Sequence, residues 1–143
     1  MKFISHRGNL TGPNPERENH PSYILEATVN GFEVEIDLWY ENGKLILGHD
    51  EPQYEVSKDI IESYNFYIHA KNLEALHHLI NKYKHLHFFW HEEDDFTLTS
   101  RNFIWTFPEK NVTNRSIIVC KTEEEVKRYK ALDCYGICTD YIL

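Results

Sequence analysis

One stretch of alternating residues, Glu33 to Trp39, constrains the fold more than any other part of the chain. Its apolar positions are Val34, Ile36 and Leu38, and its other positions are Glu33, Glu35, Asp37 and Trp39. Because side chains alternate across a strand, the three acids point to the same face. The pattern is typical of a solvated antiparallel strand. It also fits a strand on which Glu35 and Asp37, about 6.6 Å apart, hold a hard divalent cation.

Two short motifs flank this strand and favour the second interpretation. His6-Arg7-Gly8 ends a predicted strand over residues 2–5. Asn42-Gly43 predicts a tight turn, so residues 45–47 should return antiparallel and carry Gly48-His49-Asp50 back toward the acids. Imidazole, guanidinium and carboxylate groups brought together in this way indicate a candidate active site.

Composition excludes several classes of protein. At 143 residues and 41% hydrophobic content, the chain is expected to form one domain, residues 1–143, with its own core. A formal net charge of −8, without a basic patch, argues against nucleic-acid binding. No apolar run approaches the length of a membrane span. Cys120, Cys134 and Cys138 lack a zinc-type pairing, so we expect buried free thiols in a cytoplasmic protein. Nothing in the sequence specifies an oligomeric state.

Strand patterns alternate with helical patterns or loops along the chain, which predicts an α/β fold with a mainly parallel sheet. Helices are predicted over 23–30 and 57–64, after Asn72 and after Thr122, with Ser57, Asn72 and Thr122 as N-caps. Polar residues follow most strands, as at the C-terminal face of a (β/α) barrel. Because such a barrel needs about 250 residues, we expect a compact, reduced TIM-barrel-like fold with missing or shortened helices. Residues 51–56 are expected to form a loop.

The combined motifs resemble the glycerophosphodiester phosphodiesterase family, within the phosphatidylinositol-phospholipase-C-like barrels. The matching elements come in family order: His6-Arg7-Gly8, Glu18-Asn19, Gly31 to Asp37, Asn42-Gly43 and Gly48-His49-Asp50. Beyond the first fifty residues the match is confined to Ala70-Lys71 and Gly136 to Tyr141. The middle of the chain is shorter than in the family.

The resemblance implies a metal-dependent phosphodiesterase. Glu35 and Asp37 would hold the metal, and His6 and His49 would be the general acid/base pair. Arg7 and Lys71 would stabilise the phosphate. The residue types suit these roles, because imidazoles exchange protons near neutral pH and a guanidinium matches two phosphate oxygens.

One position departs from the family pattern. The family has an acid as third metal ligand two residues before the lysine, and this chain has His69 there. The resemblance implies one Mg²⁺ or Ca²⁺ ion, whereas imidazole suits transition metals such as Mn²⁺ or Zn²⁺. The third ligand is His69 itself, Glu18, or an acid after His91.

The expected substrate is a glycerol- or sugar-linked phosphodiester. Trp39, Trp90 and Trp105 each close a strand, and the rings of Trp39 and Trp105 would suit a sugar or glycerol moiety. Glu18 is a further candidate for substrate binding. Attack by water and attack by the substrate's own hydroxyl, through a cyclic phosphate, both remain open. The alternative is a weakly active or inactive module that binds a phosphoryl ligand on the same fold.

Overall fold

The computed structural model describes residues 1–143 as ten strands and four helices. The strands are β1 (Lys2–His6), β2 (Glu33–Glu41), β3 (Lys44–Leu47), β4 (Tyr54–Val56), β5 (Phe66–Ala70), β6 (His87–Trp90), β7 (Phe96–Leu98), β8 (Ile104–Thr106), β9 (Ser116–Cys120) and β10 (Gly136–Thr139). The helices are α1 (Pro21–Val29), α2 (Lys58–Ser63), α3 (Leu73–Lys82) and α4 (Glu123–Lys130).

All ten strands belong to one mixed sheet that curls into a half-barrel. Parallel pairing runs in the order β6-β5-β2-β1-β10-β9-β8, while β3, β4 and β7 add antiparallel pairs. The prediction of a reduced TIM barrel with mainly parallel strands is therefore wrong, although the mixture of helices and strands is as expected. Parallel strands need crossovers of about a dozen residues or more, and the links from β2 through β4 and from β7 to β8 are too short.

Strand β2 is the centre of the sheet because three strands pair with it. On one edge, Arg7 N donates to Glu35 O at 2.9 Å, and Gly48 N donates to Asp37 O at 3.1 Å. Strands β1 and β3 therefore pair with the same edge of β2, one after the other. The C-terminal end of β3 lies next to the C-terminal end of β1. The predicted hairpin is confirmed. Asn42 and Gly43 have φ of 51° and 73°, the left-handed backbone of the tightest hairpin turns.

The two faces of β2 are both buried. Val34, Ile36 and Leu38 pack in the main core between the sheet and the helices. Glu35 and Asp37 lie on the concave face and are only 3% and 0% exposed. The solvated antiparallel interpretation of this strand is therefore wrong: β2 pairs in parallel with both β1 and β5 where the acids lie.

The helix starts after Asn72 and Thr122 were predicted correctly, whereas the short strand β4 was not predicted. The side chains of Asn72 and Thr122 accept hydrogen bonds from Ala75 N and Glu125 N, as N-caps do. Ser57 precedes α2 but makes no side-chain capping bond. The predicted loop at 51–56 contains β4.

The floor of the half-barrel is a second, smaller core. Its members are Ile4, Tyr67, Phe89, Trp105, Ile117 and Cys138. All three cysteines are free and buried, as expected. None of the four helices is long and apolar enough to cross a membrane.

Candidate functional site

Three potential metal ligands meet on the concave face, near the C-terminal ends of the strands. Strand β2 carries Glu35 and Asp37, and parallel pairing places His69 of β5 opposite Asp37. One ligand atom from each residue lies within 4.8 Å of the other two. His69 Nδ1 is 3.2 Å from Asp37 Oδ1 and 4.0 Å from Glu35 Oε1. These side chains form a candidate cation site, here called the acid–histidine site.

Two carboxylate oxygens of this site are buried without a hydrogen-bond partner, namely Glu35 Oε2 and Asp37 Oδ1. Leaving a buried polar atom unpaired is costly, so native proteins rarely do it without a reason. His69 is oriented from behind, because its Nε2 donates to His91 O at 2.8 Å. A backbone acceptor behind a histidine is the usual support of a metal ligand. The residues present therefore fit a divalent cation.

The electrostatics of the two acids differ strongly. Burial and the neighbouring charge of Asp37 raise the pKa of Glu35 to about 7. Burial would also raise the pKa of Asp37, but His69, Arg7 and Lys71 outweigh it and hold that pKa well below its usual range. Asp37 is therefore ionised at neutral pH. Glu35 becomes fully ionised near neutral pH only when a nearby cation stabilises its negative charge.

Asp37 is fixed by a ring of polar partners. Asn19 Nδ2 donates to Asp37 Oδ2 at 2.8 Å, and Asn19 Oδ1 accepts from Asp37 N at 3.0 Å. Arg7 Nε lies 3.1 Å from the same Oδ2, and its Nη1 donates to Glu18 at 3.3 Å. Lys71 Nζ is 3.9 Å from Asp37 Oδ1. Both predicted phosphate-binding cations, Arg7 and Lys71, are therefore beside the acids.

His6 is held by an acid from the far end of the chain. Its Nδ1 donates to Asp140 Oδ1 at 2.8 Å, which leaves Nε2 facing Glu35 Oε2 at 3.8 Å. Asn9 Nδ2 bonds both Asp140 and Glu18 and so ties this pair to the Arg7 network. Burial lowers the pKa of His6, but Asp140 and Glu35 outweigh it, and the net pKa is raised.

Asp140 and Asn9 had not been assigned to the site from the sequence, and Asn19 had been noted only within the Glu18-Asn19 motif. Asp140 follows the last strand, within the segment Gly136 to Tyr141 that resembles the family. Its position directly after a strand that lies beside β1 was the available signal. Sequence separation hid the contact, since His6 and Asp140 are 134 positions apart.

His49 stands at the mouth of the site. Its side chain is 43% exposed and its Nδ1 donates to Asp50 Oδ1 at 2.7 Å. Partial burial and the positive charge of Arg7 lower the pKa of His49. His6 and His49 are therefore placed differently: His6 is partly buried and held by Asp140, whereas His49 is more exposed to solvent.

A cavity of about 420 Å³ connects these groups. Its polar wall comprises His6, Arg7, Glu35, His49, His69 and Lys71. The other residues that line it are Ala70, Trp90, His91, Glu92, Trp105, Phe107, Pro108, Val119 and Lys121. Such a volume suits a small organic ligand.

The residues predicted to bind substrate are only partly in this cavity. Trp105 lines it and stacks on Phe89, with ring centroids 4.4 Å apart. Trp39 instead donates from Nε1 to Gly48 O at 2.7 Å and so supports the loop that carries His49. Glu18 lies behind the wall, bonded to Arg7. Trp90, which had no assigned role, lines the cavity.

Comparison with protein-family models, curated proteins and solved structures gave no match for this chain. The family resemblance therefore stays a prediction from motifs. Function has to be inferred from the geometry of the acid–histidine site and its cavity.

Proposed function

We propose that this protein cleaves a small phosphodiester, with a divalent cation held by Glu35, Asp37 and His69. The observation that carries the proposal is that one cavity is lined by Glu35, whose buried Oε2 has no hydrogen-bond partner, together with imidazole groups, a guanidinium and an ammonium group. The substrate class is a glycerol- or sugar-linked phosphodiester, in keeping with the volume of the cavity and the aromatic side chains that line it.

Charge neutralisation is the first requirement of this chemistry, because the anionic oxygens of a phosphodiester repel a nucleophile. A cation in the acid–histidine site would bind a phosphoryl oxygen and lower the pKa of a neighbouring hydroxyl or water. Arg7 lines the cavity while Asp37 and Glu18 fix its guanidinium, so its remaining N–H groups are presented in a set orientation. Lys71 adds a positive charge on the same wall.

Proton transfer is the second requirement. Asp140 orients His6 so that its Nε2 faces the interior, and His49 lies at the mouth of the same cavity. One imidazole takes the proton of the attacking hydroxyl, and the other gives a proton to the departing oxygen. Such a pair contributes about 10²–10⁴-fold to a rate. The nucleophile is water or a hydroxyl of the substrate itself.

The test is hydrolysis of bis(p-nitrophenyl) phosphate and of glycerophosphodiesters with Mg²⁺, Ca²⁺, Mn²⁺ or Zn²⁺. We expect cation-dependent turnover that is lost on removing the ion with a chelator. The variant His6→Ala should lose it as well. The control His77→Gln, at an exposed position of α3, should retain it. Unchanged activity in His6→Ala would contradict the proposal, and ³¹P NMR of the products would separate the two routes.

A phosphoryl-ligand-binding module is the second candidate. It is favoured by the presence of His69 where the family pattern has an acid. Calorimetric binding of glycerol phosphates by the cation-loaded protein, with no turnover of any of these diesters, would select it over the enzyme.

A further inference from the structure

We infer that the acid–histidine site selects a first-row transition ion, binding Zn²⁺ more tightly than Mn²⁺ and both more tightly than Mg²⁺ and Ca²⁺. The inference rests on the proposed function only in that it takes the site to hold a cation. It reverses the preference that an all-acid site of the resembled family would have. The inference is drawn from the orientation of one ring, the spacing of three ligand atoms and the hydrogen bonds of the other acids near the site.

The orientation of the His69 ring is fixed by its neighbours. A backbone carbonyl only accepts hydrogen bonds, so Nε2 of His69 donates to His91 O. The ring also stacks on Phe89 with centroids 5.2 Å apart and an interplanar angle of 14°, so it cannot rotate freely. Nδ1, the other ring nitrogen, is therefore held facing Glu35 and Asp37.

Three potential metal ligands thus converge, and one ligand atom from each lies within 4.8 Å of the other two. Asp37 Oδ1 lies 3.2 Å from His69 Nδ1. Two ligands that are each about 2.1 Å from one ion, at a tetrahedral angle, lie about 3.4 Å apart. The observed spacing matches such a pair.

Ca²⁺ lacks the protein oxygens it needs at this place, because it takes six to eight oxygen ligands. Glu18 is bonded to Arg7 and Asn9, and Asp140 is bonded to His6 and Asn9, so neither is free to serve. Of the acids after His91, Glu92 lines the cavity, but it is exposed and does not belong to the group of ligand atoms that lie within 4.8 Å of one another. The donor set is therefore two carboxylates and one imidazole, with open positions for water or substrate.

A mixed set of oxygen and nitrogen donors favours transition ions. Imidazole suits Zn²⁺ and its neighbours, and affinity at a given site rises from Mn²⁺ through the series. Mn²⁺ and Mg²⁺ are the most informative pair to compare, because both accept carboxylate oxygens and they differ in their affinity for nitrogen. The nitrogen of His69 is thus the specificity-determining atom.

Pulsed EPR of Mn²⁺ bound to the full-length protein tests the inference without any activity assay. We expect magnetic coupling to one directly bonded nitrogen, and calorimetry should show Mn²⁺ binding about 100-fold or more tighter than Mg²⁺. In His69→Glu, the nitrogen coupling should vanish and the preference for Mn²⁺ over Mg²⁺ should fall about tenfold or more. The matched control His77→Gln should leave both readouts unchanged.

Failure of this inference is distinguishable from failure of the proposed function. Bound Mn²⁺ without nitrogen coupling, or Mg²⁺ binding as tightly as Mn²⁺, would overturn the inference while leaving Mg²⁺-dependent hydrolysis possible. If none of the ions binds, both the inference and the metal-dependent mechanism fall. The wild-type spectrum decides these outcomes even if His69→Glu does not fold.

Discussion

Glu33 and Glu35 lie two positions apart on the same face of β2, and their surroundings are opposite. Glu33 is paired at both oxygens: Lys2 Nζ lies 2.7 Å from Oε1, and the Tyr67 hydroxyl donates to Oε2 at 2.7 Å. Glu35 is more deeply buried, and its Oε2 has no donor. An acid whose partners are supplied by the fold stabilises the fold, whereas an acid left without them is suited to a ligand.

The histidines show the same contrast. His87, near the Glu33 end of the half-barrel, shares a 2.7 Å hydrogen bond with Thr99, and burial lowers its pKa to about 4. His6, at the Glu35 end, is held by Asp140 and has a raised pKa. Burial lowers the pKa of both histidines, and the charges beside them make the difference: Arg101 lowers the pKa of His87 further, whereas Asp140 and Glu35 raise that of His6. At the Glu33 end the fold itself pairs the acid, and at the Glu35 end the acid lines the cavity with an unpartnered oxygen.

The largest expected effect separates the two glutamates by activity. Glu35→Gln should lower kcat/KM for a phosphodiester by about 10³-fold or more, because a carboxamide is a poor ligand for the cation. Glu33→Gln should stay within about threefold of wild type, since it lies outside the cavity lining. Steady-state kinetics at saturating cation makes the comparison. Equal losses in the two variants would abolish the distinction.

The second effect concerns stability without a cation. The pKa of Glu35 rises from 4.5 to about 7 on folding, so the unfolded chain releases this proton at lower pH than the folded one. The free energy of unfolding should therefore fall by about 3 kcal/mol from this group as the pH rises from about 4.5 to 7. Chelator-treated wild type should show this slope in urea titrations.

Glu35→Gln should remove most of that slope, and Glu33→Gln should keep it. Saturating divalent cation should also flatten the slope in wild type, because binding favours the ionised carboxylate. A cation-free wild type whose stability is unchanged between these pH values would show that the charge on Glu35 is already balanced by the protein.

A third effect tests the pair of His6 and Asp140. Asp140→Asn should lower kcat about 10²-fold with little change in KM, because the imidazole loses its orientation and its charged partner. The acidic limb of the pH–rate profile should shift to lower pH, since Asp140 raises the pKa of His6. A loss of activity with an unshifted profile would assign Asp140 a purely structural role.

The smallest effect is at the Glu33 end. Tyr67→Phe removes the hydroxyl that donates to Glu33 and should cost about 1–2 kcal/mol of stability. Activity should hold at wild-type level, because Tyr67 lies in the floor and does not line the cavity. Thermal melts and the diester assay on one preparation check both parts. A tenfold loss of activity at unchanged stability would contradict the functional difference between the Glu33 end and the Glu35 end.

Local sequence patterns predicted local structure. The alternation in β2 gave its two faces correctly, Asn42-Gly43 marked the hairpin, and Asn72 and Thr122 marked helix starts. The proximity of Glu35 and Asp37 was predictable for the same reason, because they share one strand. His6, Arg7 and Lys71 followed from their places at strand ends.

What the sequence left open depends on contacts between distant segments. A closed barrel and a half-barrel contain the same kinds of strands and helices, and they differ here in whether β6 pairs with β8. No local sequence pattern shows that these two strands remain unpaired. The contact of His6 with Asp140 depends on the pairing of the first and last strands. The sequence also could not show which of Glu33 and Glu35 has hydrogen-bond partners. Both occupy equivalent positions in the alternating pattern of β2.

Anomalous diffraction from crystals soaked in Zn²⁺ tests the central claim most directly. Maps from data collected on the two sides of the zinc absorption edge should show one strong peak, about 2.0–2.2 Å from carboxylate oxygens of Glu35 and Asp37 and from Nδ1 of His69. The peak should be absent from Glu35→Gln crystals and present in Glu33→Gln crystals. A wild-type map at saturating Zn²⁺ with no peak between these three side chains would contradict the account.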